Sequence, residues 1–106
     1  MSLRCIAQSA PAATTATTIL DGSQQQTIHL RSLVVCNRDA TSATFRIWLK
    51  LRNEADANKQ YLYYAIPIVP NDTFSLALDI GVQPGDVLKV YASTANLSFN
   101  LFGSYE

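Results

Sequence analysis

Histidine occurs once in this chain, at position 29, and that scarcity removes most imidazole chemistry at the outset. A metal site of the cupin kind needs several histidine ligands, and one residue cannot supply them. Glycine is also scarce, with four in the chain, and no GxxxxGK[ST], GxGxxG or GxSxG element is present. Nothing therefore argues for a phosphate cradle or a nucleophile elbow, and no cofactor is expected. Charged residues make up 15% of the composition and cancel to a net charge of zero, against about 25% charged in ordinary soluble domains. The nearest approach to a basic cluster is Arg46, Lys50 and Arg52, too short for phosphate neutralisation along nucleic acid. A membrane span is not expected either: the start, MSLRCIAQSAPAATTATT, turns polar almost at once and has neither a signal peptide's apolar core nor a span's length. The expectation is a chain used without export. In a reducing compartment Cys5 and Cys36 should then be free thiols.

What is present is hydrophobic, at 48% of residues. A domain of this length buries roughly two thirds of the surface that its unfolded chain exposes, enough for one core without staples. A small, neutral, charge-poor domain makes a poor isolated monomer, so part of its surface should be covered by copies of itself or by a partner.

The apolar residues recur at period two, which predicts an all-β domain. In Thr44 to Leu51, Phe45, Ile47, Leu49 and Leu51 fall on one face, and Arg46, Trp48 and Lys50 on the other. Thr73 to Ile80 repeats the pattern with Phe74, Leu76, Leu78 and Ile80 inward, and the last strand does so with Leu97, Phe99 and Leu101. Further strands are expected at Leu3 to Gln8, Thr15 to Leu20, Thr27 to Asn37, Gln60 to Ile68 and Asp86 to Ser93. The separators carry turn chemistry, among them Asp21-Gly22, Asn37 to Thr41, Pro70-Asn71-Asp72 and Pro84-Gly85. About eight strands at such spacing favour a single-domain antiparallel β-sandwich of jelly-roll type. Residues 27–106 form that sandwich, while residues 1–26, rich in Ala, Thr, Ser and Gln, are either edge strands or an extended arm that orders against a neighbour. The loop Asn53 to Asn58 is expected to be an exposed hairpin tip.

Candidate chemistry concentrates in VVCNRDATSATFRIWLKL, Val34 to Leu51, with its cysteine, carboxylate and tryptophan. A catalytic Cys36 would need a base, and His29 lies an odd number of positions away on the same strand, on the opposite face unless a bulge intervenes. Cys36 is expected to pack inward, with Asn37 and Asp39 supplying turn chemistry. Paired carboxylates for glycoside hydrolysis could be sought among Glu54, Asp56, Asp72, Asp79 and Asp86, but all except Asp79 lie in turns where acids are ordinary, and Asp79 reads as an outward strand residue. No catalytic residue is assigned. The aromatics say more: Trp48 falls on the expected solvent face between Arg46 and Lys50, with Tyr61 and Tyr63 on the following strand. These five residues are the candidate interface, whether for a subunit or for a sugar, unless Trp48 simply lies over its neighbours' aliphatic stems.

The stretch LRSLVVCNRDATSATFRIWLKL, followed by NKQYLYYAIPIVPNDTFSLALDIGVQPGDVLKVYASTANLSFNLFG, resembles a group of small virion proteins of tailed bacteriophages. The likeness covers about residues 27–104, with a VCNR turn, a Thr-Phe-Arg strand, a YLYY strand, an NDT turn and a closing STANLSFNLFG pair. It departs from the group at IWLKLRNEADANKQ, where a Val/Ala-rich strand and a Pro-Ala-Gly turn are more typical. The resemblance implies a non-enzymatic virion component. Within that class a head decoration, or cement, protein is favoured: a homotrimer bound to the major capsid protein lattice, assembled in the host cytoplasm. A tail, fibre or baseplate component that binds host glycan is the alternative.

Overall fold

The computed structural model describes residues 3–105. Eight strands follow in chain order: β1 (Arg4–Ser9), β2 (Thr17–Leu20), β3 (Ile28–Asn37), β4 (Ala43–Lys50), β5 (Tyr61–Ile68), β6 (Thr73–Val82), β7 (Val87–Ala92) and β8 (Leu97–Tyr105), with one 3-10 turn at Asn58–Gln60. Antiparallel pairing is nested: β1 with β8, β2 with β7, β3 with β6, and β4 with β5. Two further pairings, β3 with β8 and β4 with β7, close the sheets β1-β8-β3-β6 and β2-β7-β4-β5. This is the strand order of a jelly roll, one long antiparallel ribbon rolled over itself. The first 26 residues contribute to both sheets, since β1 and β2 are edge strands. Ile6, Ala7, Ile19 and Leu20 pack against the core, so trimming this segment removes core contacts and not merely a tether.

Alternation builds the core as expected. Leu30, Leu33, Val35, Phe45, Ile47, Leu88, Val90, Phe99 and Leu101 have no exposed surface. Phe45 meets Phe99 edge-on at 5.9 Å and Phe74 at 6.0 Å, an arrangement that suits the ring quadrupoles and joins the two sheets. Where alternation breaks, a bulge is present. An extra residue at Arg31 shifts β3 against β8, so Leu30 and Leu33 both face inward. Gly103 sits opposite Leu30 at this bulge, and a Cβ there would collide with the His29 carbonyl. Only glycine allows the two backbones to approach so closely. The same bulge corrects the expectation for Cys36: Val35 takes the inward position, and Cys36 is half-buried on the outer face.

Each end of the sandwich is closed by its loops. At one end the buried Asn37 side chain donates from Nδ2 toward the carbonyls of Thr41, Ile68 and Val69 at 3.0, 3.1 and 3.2 Å, and its Oδ1 accepts from the Asp39 amide at 2.9 Å. Asp39 receives the Thr94 hydroxyl at 3.0 Å and the Asn96 amide at 3.2 Å. The β3–β4, β5–β6 and β7–β8 connections are thereby joined. At the other end Asp86, 7% exposed, accepts from the amides of Arg52 and Gln83. Beside it Gly85, at φ +95°, donates to the Gly22 carbonyl at 2.9 Å, the backbone geometry expected of Pro84-Gly85.

Removing the amide in Asn37→Ala leaves buried carbonyls without donors and should cost about 2–4 kcal/mol, from roughly 1–3 kcal/mol per unsatisfied group. Chemical denaturation checks this as a lower midpoint at unchanged slope. Leu76, 8% exposed on the inward face of β6, should cost about 2–5 kcal/mol when truncated to Ala. A near-neutral result in the same assay would overturn its register.

Candidate functional site

The candidate interface residues lie on β4 and β5, whose register is not simple. Phe45 opposes Ile66, Ile47 opposes Tyr63 and Trp48 opposes Tyr61, so β5 carries two extra residues across this span. One of the resulting bulges contains Ala65 at φ +54°. These insertions divide the tyrosines. Tyr63 faces Ile47 and packs against the core, which removes it from the outer face, while Tyr61 and Tyr64 both lie on the Trp48 side. Period-two alternation cannot foresee this, because each bulge reverses the faces of every later residue.

Trp48 points to the outer face of its sheet, as expected, yet it is only 5% exposed. Its cover comes from its own chain. The β4–β5 connection is exposed, as expected of a hairpin tip, but it also folds back over the sheet, held from inside by Gln60. That side chain, itself buried, donates to the Ala55 carbonyl at 2.8 Å and accepts from the Ala57 amide at 3.0 Å. Asp56 on this loop accepts the Trp48 indole N–H at 3.3 Å and the Lys89 ammonium at 3.2 Å, with Lys50 at 3.9 Å. Tyr61 completes the enclosure at 5.3 Å between ring centroids. The hydrogen bond from Lys89, then that from Trp48, holds the Asp56 carboxyl below its ordinary value.

Arg46, one position along the outer face, has a different setting. Its guanidinium lies 4.3 Å from the Tyr91 ring centre on β7 and 4.5 Å from that of Tyr64 on β5. Beside it opens a groove of about 410 Å³ bordered by Thr14, Asp56, Asn58, Tyr61 and Tyr91, with Trp48 at its floor. Of the five candidate residues, the outer face thus brings together Arg46, Trp48, Lys50 and Tyr61, but not Tyr63. Sequence reasoning missed Tyr64, Tyr91 and the clamp on Asp56. Tyr91 lies directly opposite Arg46 in the β4–β7 register, a pairing that no residue local to either strand announces.

The Cys36–His29 idea fails on distance. The bulge at Arg31 does place both on the outer face, but seven strand positions separate them by roughly 20 Å. His29 instead lies 2.6 Å from Asp79 across β6, and its bond holds that carboxyl below the usual range. Among the described residues no three of His, Cys, Asp and Glu gather in a way that could hold a metal ion, and no helix is long and apolar enough to cross a membrane. No protein-family model matches the chain, and a comparison with curated proteins gives no match.

The Asp56 clamp has a defined pH dependence. A depressed carboxyl contributes its stabilisation above the unfolded carboxylate value of about 3.9 and loses it as pH falls through the lower folded value. Fluorescence of Trp48, the sole tryptophan, should therefore stay constant from neutral pH to about pH 4 and shift to the red below it. In Asp56→Ala the red-shifted emission should already be present at neutral pH, with that acid step gone.

Proposed function

We propose that this chain is a structural component of a tailed-bacteriophage virion, a head-decoration protein that binds the major capsid protein lattice as a homo-oligomer, most simply a trimer. The virion assignment rests on the resemblance over residues 27–104; association as such is supported by the placement of exposed apolar side chains. Among the described residues five large hydrophobics are exposed, and four of them, Leu51, Leu62, Tyr64 and Val69, lie on or beside β5. That strand is one of the two edges of its sheet. An edge with exposed apolar side chains favours association, while the two bulges disfavour plain strand addition, so contact through side chains is the favoured mode. A shallow apolar hollow between Leu49, Leu51 and Leu62 extends the same surface.

Decoration needs only moderate contact per subunit. Joining several such contacts through an oligomer gives an avidity that one domain of this size would not reach. The near-absence of net charge fits a surface meant to be covered.

Sedimentation should show one stoichiometry above monomer, and Leu62→Glu, at a 39% exposed position, should shift it to monomer. Its thermal stability should change by no more than about 0.5 kcal/mol, as for other surface substitutions. Wild-type protein should bind purified heads and the variant should bind them less. A strictly monomeric wild type at high concentration that leaves heads unbound would refute the reading.

A further inference from the structure

We propose that the groove beside Arg46 binds a carboxylated sugar, such as a hexuronate unit of a polysaccharide. This does not depend on where the protein assembles, and it rests on three features of the outer face.

The first is an unpaired cation. The four ion pairs among the described residues use His29, Lys50, Lys59 and Lys89, and none includes Arg46. Its guanidinium is flanked by Tyr64 and Tyr91, from strands on either side of β4. Stacked rings cover a guanidinium's faces but leave its N–H donors free, because those lie in the plane. A fork held in this way is arranged for a planar, two-oxygen acceptor, which is a carboxylate.

The second is the local charge. Arg46, Lys50 and Lys89 face the single carboxylate of Asp56, which Lys89 and Lys50 already engage. Three cations against one carboxylate leave a surplus of two charges, and of the three Arg46 alone has no carboxylate partner among the described residues. A carboxylate ligand can take the Arg46 fork without disturbing the internal pairs, whereas a phosphate dianion would also draw on Lys50 and Lys89 and so compete with the clamp over Trp48.

The third is the shape and lining. A volume of about 410 Å³ falls within the usual range for small-molecule sites. The lining mixes the aromatic residues Tyr61 and Tyr91 with the polar residues Thr14, Asn58 and Asp56. Sugar rings have the same mixture, with apolar C–H faces and hydroxyl edges. The Glu or Asp side chain of a protein partner would satisfy Arg46 and leave the remaining wall without a complement. Trp48, being buried, is the floor and not the stacking platform.

The test is a titration of the intact protein with sodium glucuronate, read from the Trp48 indole N–H by NMR. Glucose, sodium acetate, inorganic phosphate and a blocked Gly-Glu-Gly peptide serve as parallel arms. Glucuronate should shift the resonance, with the other four weaker by about tenfold or more, the worth of one charge-assisted hydrogen bond. Arg46→Gln should weaken the glucuronate response by about the same factor, and Asn58→Ala, at an exposed position, should weaken it without altering the fold. Arg46→Lys, which keeps the charge and loses the fork, should fall between wild type and Arg46→Gln. Silence toward glucuronate overturns the proposal. So does an equal response to acetate or phosphate, which would mark a plain anion site, or to the peptide, which would mark a protein contact. An unchanged response in folded Arg46→Gln and Asn58→Ala would overturn it as well.

Discussion

The hydrogen bond from Asn37 to the carbonyl of Ile68 crosses between sheets at the point where the chain passes from one to the other. Much of the architecture depends on that crossing. Asn37 ends β3 in one sheet, and Ile68 ends β5 in the other. A two-sheet sandwich held only by apolar contact could slide along its strands, because dispersion and burial have little direction. A buried amide with fixed acceptors is directional, and it is strong when fully satisfied in a low dielectric. Here both ends of the amide are used, and the adjoining Asp39 carries the connection on to Thr94 and Asn96. The polar centre of VVCNRDATS thus fastens three loops at one end of the roll.

The opposite faces of the sandwich follow from where the chain departs from alternation. Bulges at Arg31 in β3, near Asp79 in β6 and twice in β5 each reset which side chains point inward. Among the described residues five non-glycine residues have positive φ, and two of them, Ala65 and Asp79, lie in strands with shifted register. Such conformations persist only when the surrounding packing determines them. In β5 the effect is to pack Tyr63 against the core and leave Tyr61 and Tyr64 on the outer face.

This explains how far the residues alone could be read. The fold class, the number of strands and most of their limits were legible, because Phe45 to Leu49, Phe74 to Leu76 and Leu97 to Leu101 keep strict alternation; Leu51, expected inward, lies past the end of β4 and is exposed. The nested pairing was not directly legible, since nothing local to a strand names its partner. On the site, Arg46, Trp48, Lys50 and Tyr61 were legible as one outer face. The register of β5 was not: a bulge leaves no compositional mark when the extra residues are leucine, tyrosine or alanine instead of glycine. Nor was the return of the β4–β5 loop, because the Gln60 contacts that shape it are polar and short-range, and the same composition would serve an exposed turn equally well.

The clamp over the outer face and the clasp at the end of the roll draw on different parts of the chain. IWLKLRNEADANKQ supplies Trp48, Lys50, Asp56, Asn58 and the Gln60 support, whereas the clasp around Asn37 is built from the β3–β4, β5–β6 and β7–β8 connections. These two sets of residues do different physical work. The clasp closes one end of the roll and joins its two sheets. The β4–β5 set leaves the pairing order untouched; it places a carboxylate over a tryptophan, beside an arginine that β4 holds between tyrosines of the neighbouring strands. Such a connection can vary without loss of the fold, because it runs over the surface and its length is weakly constrained. The exposed edge at β5 belongs to the sheet itself, whereas the groove beside Arg46 combines strand residues with that surface loop.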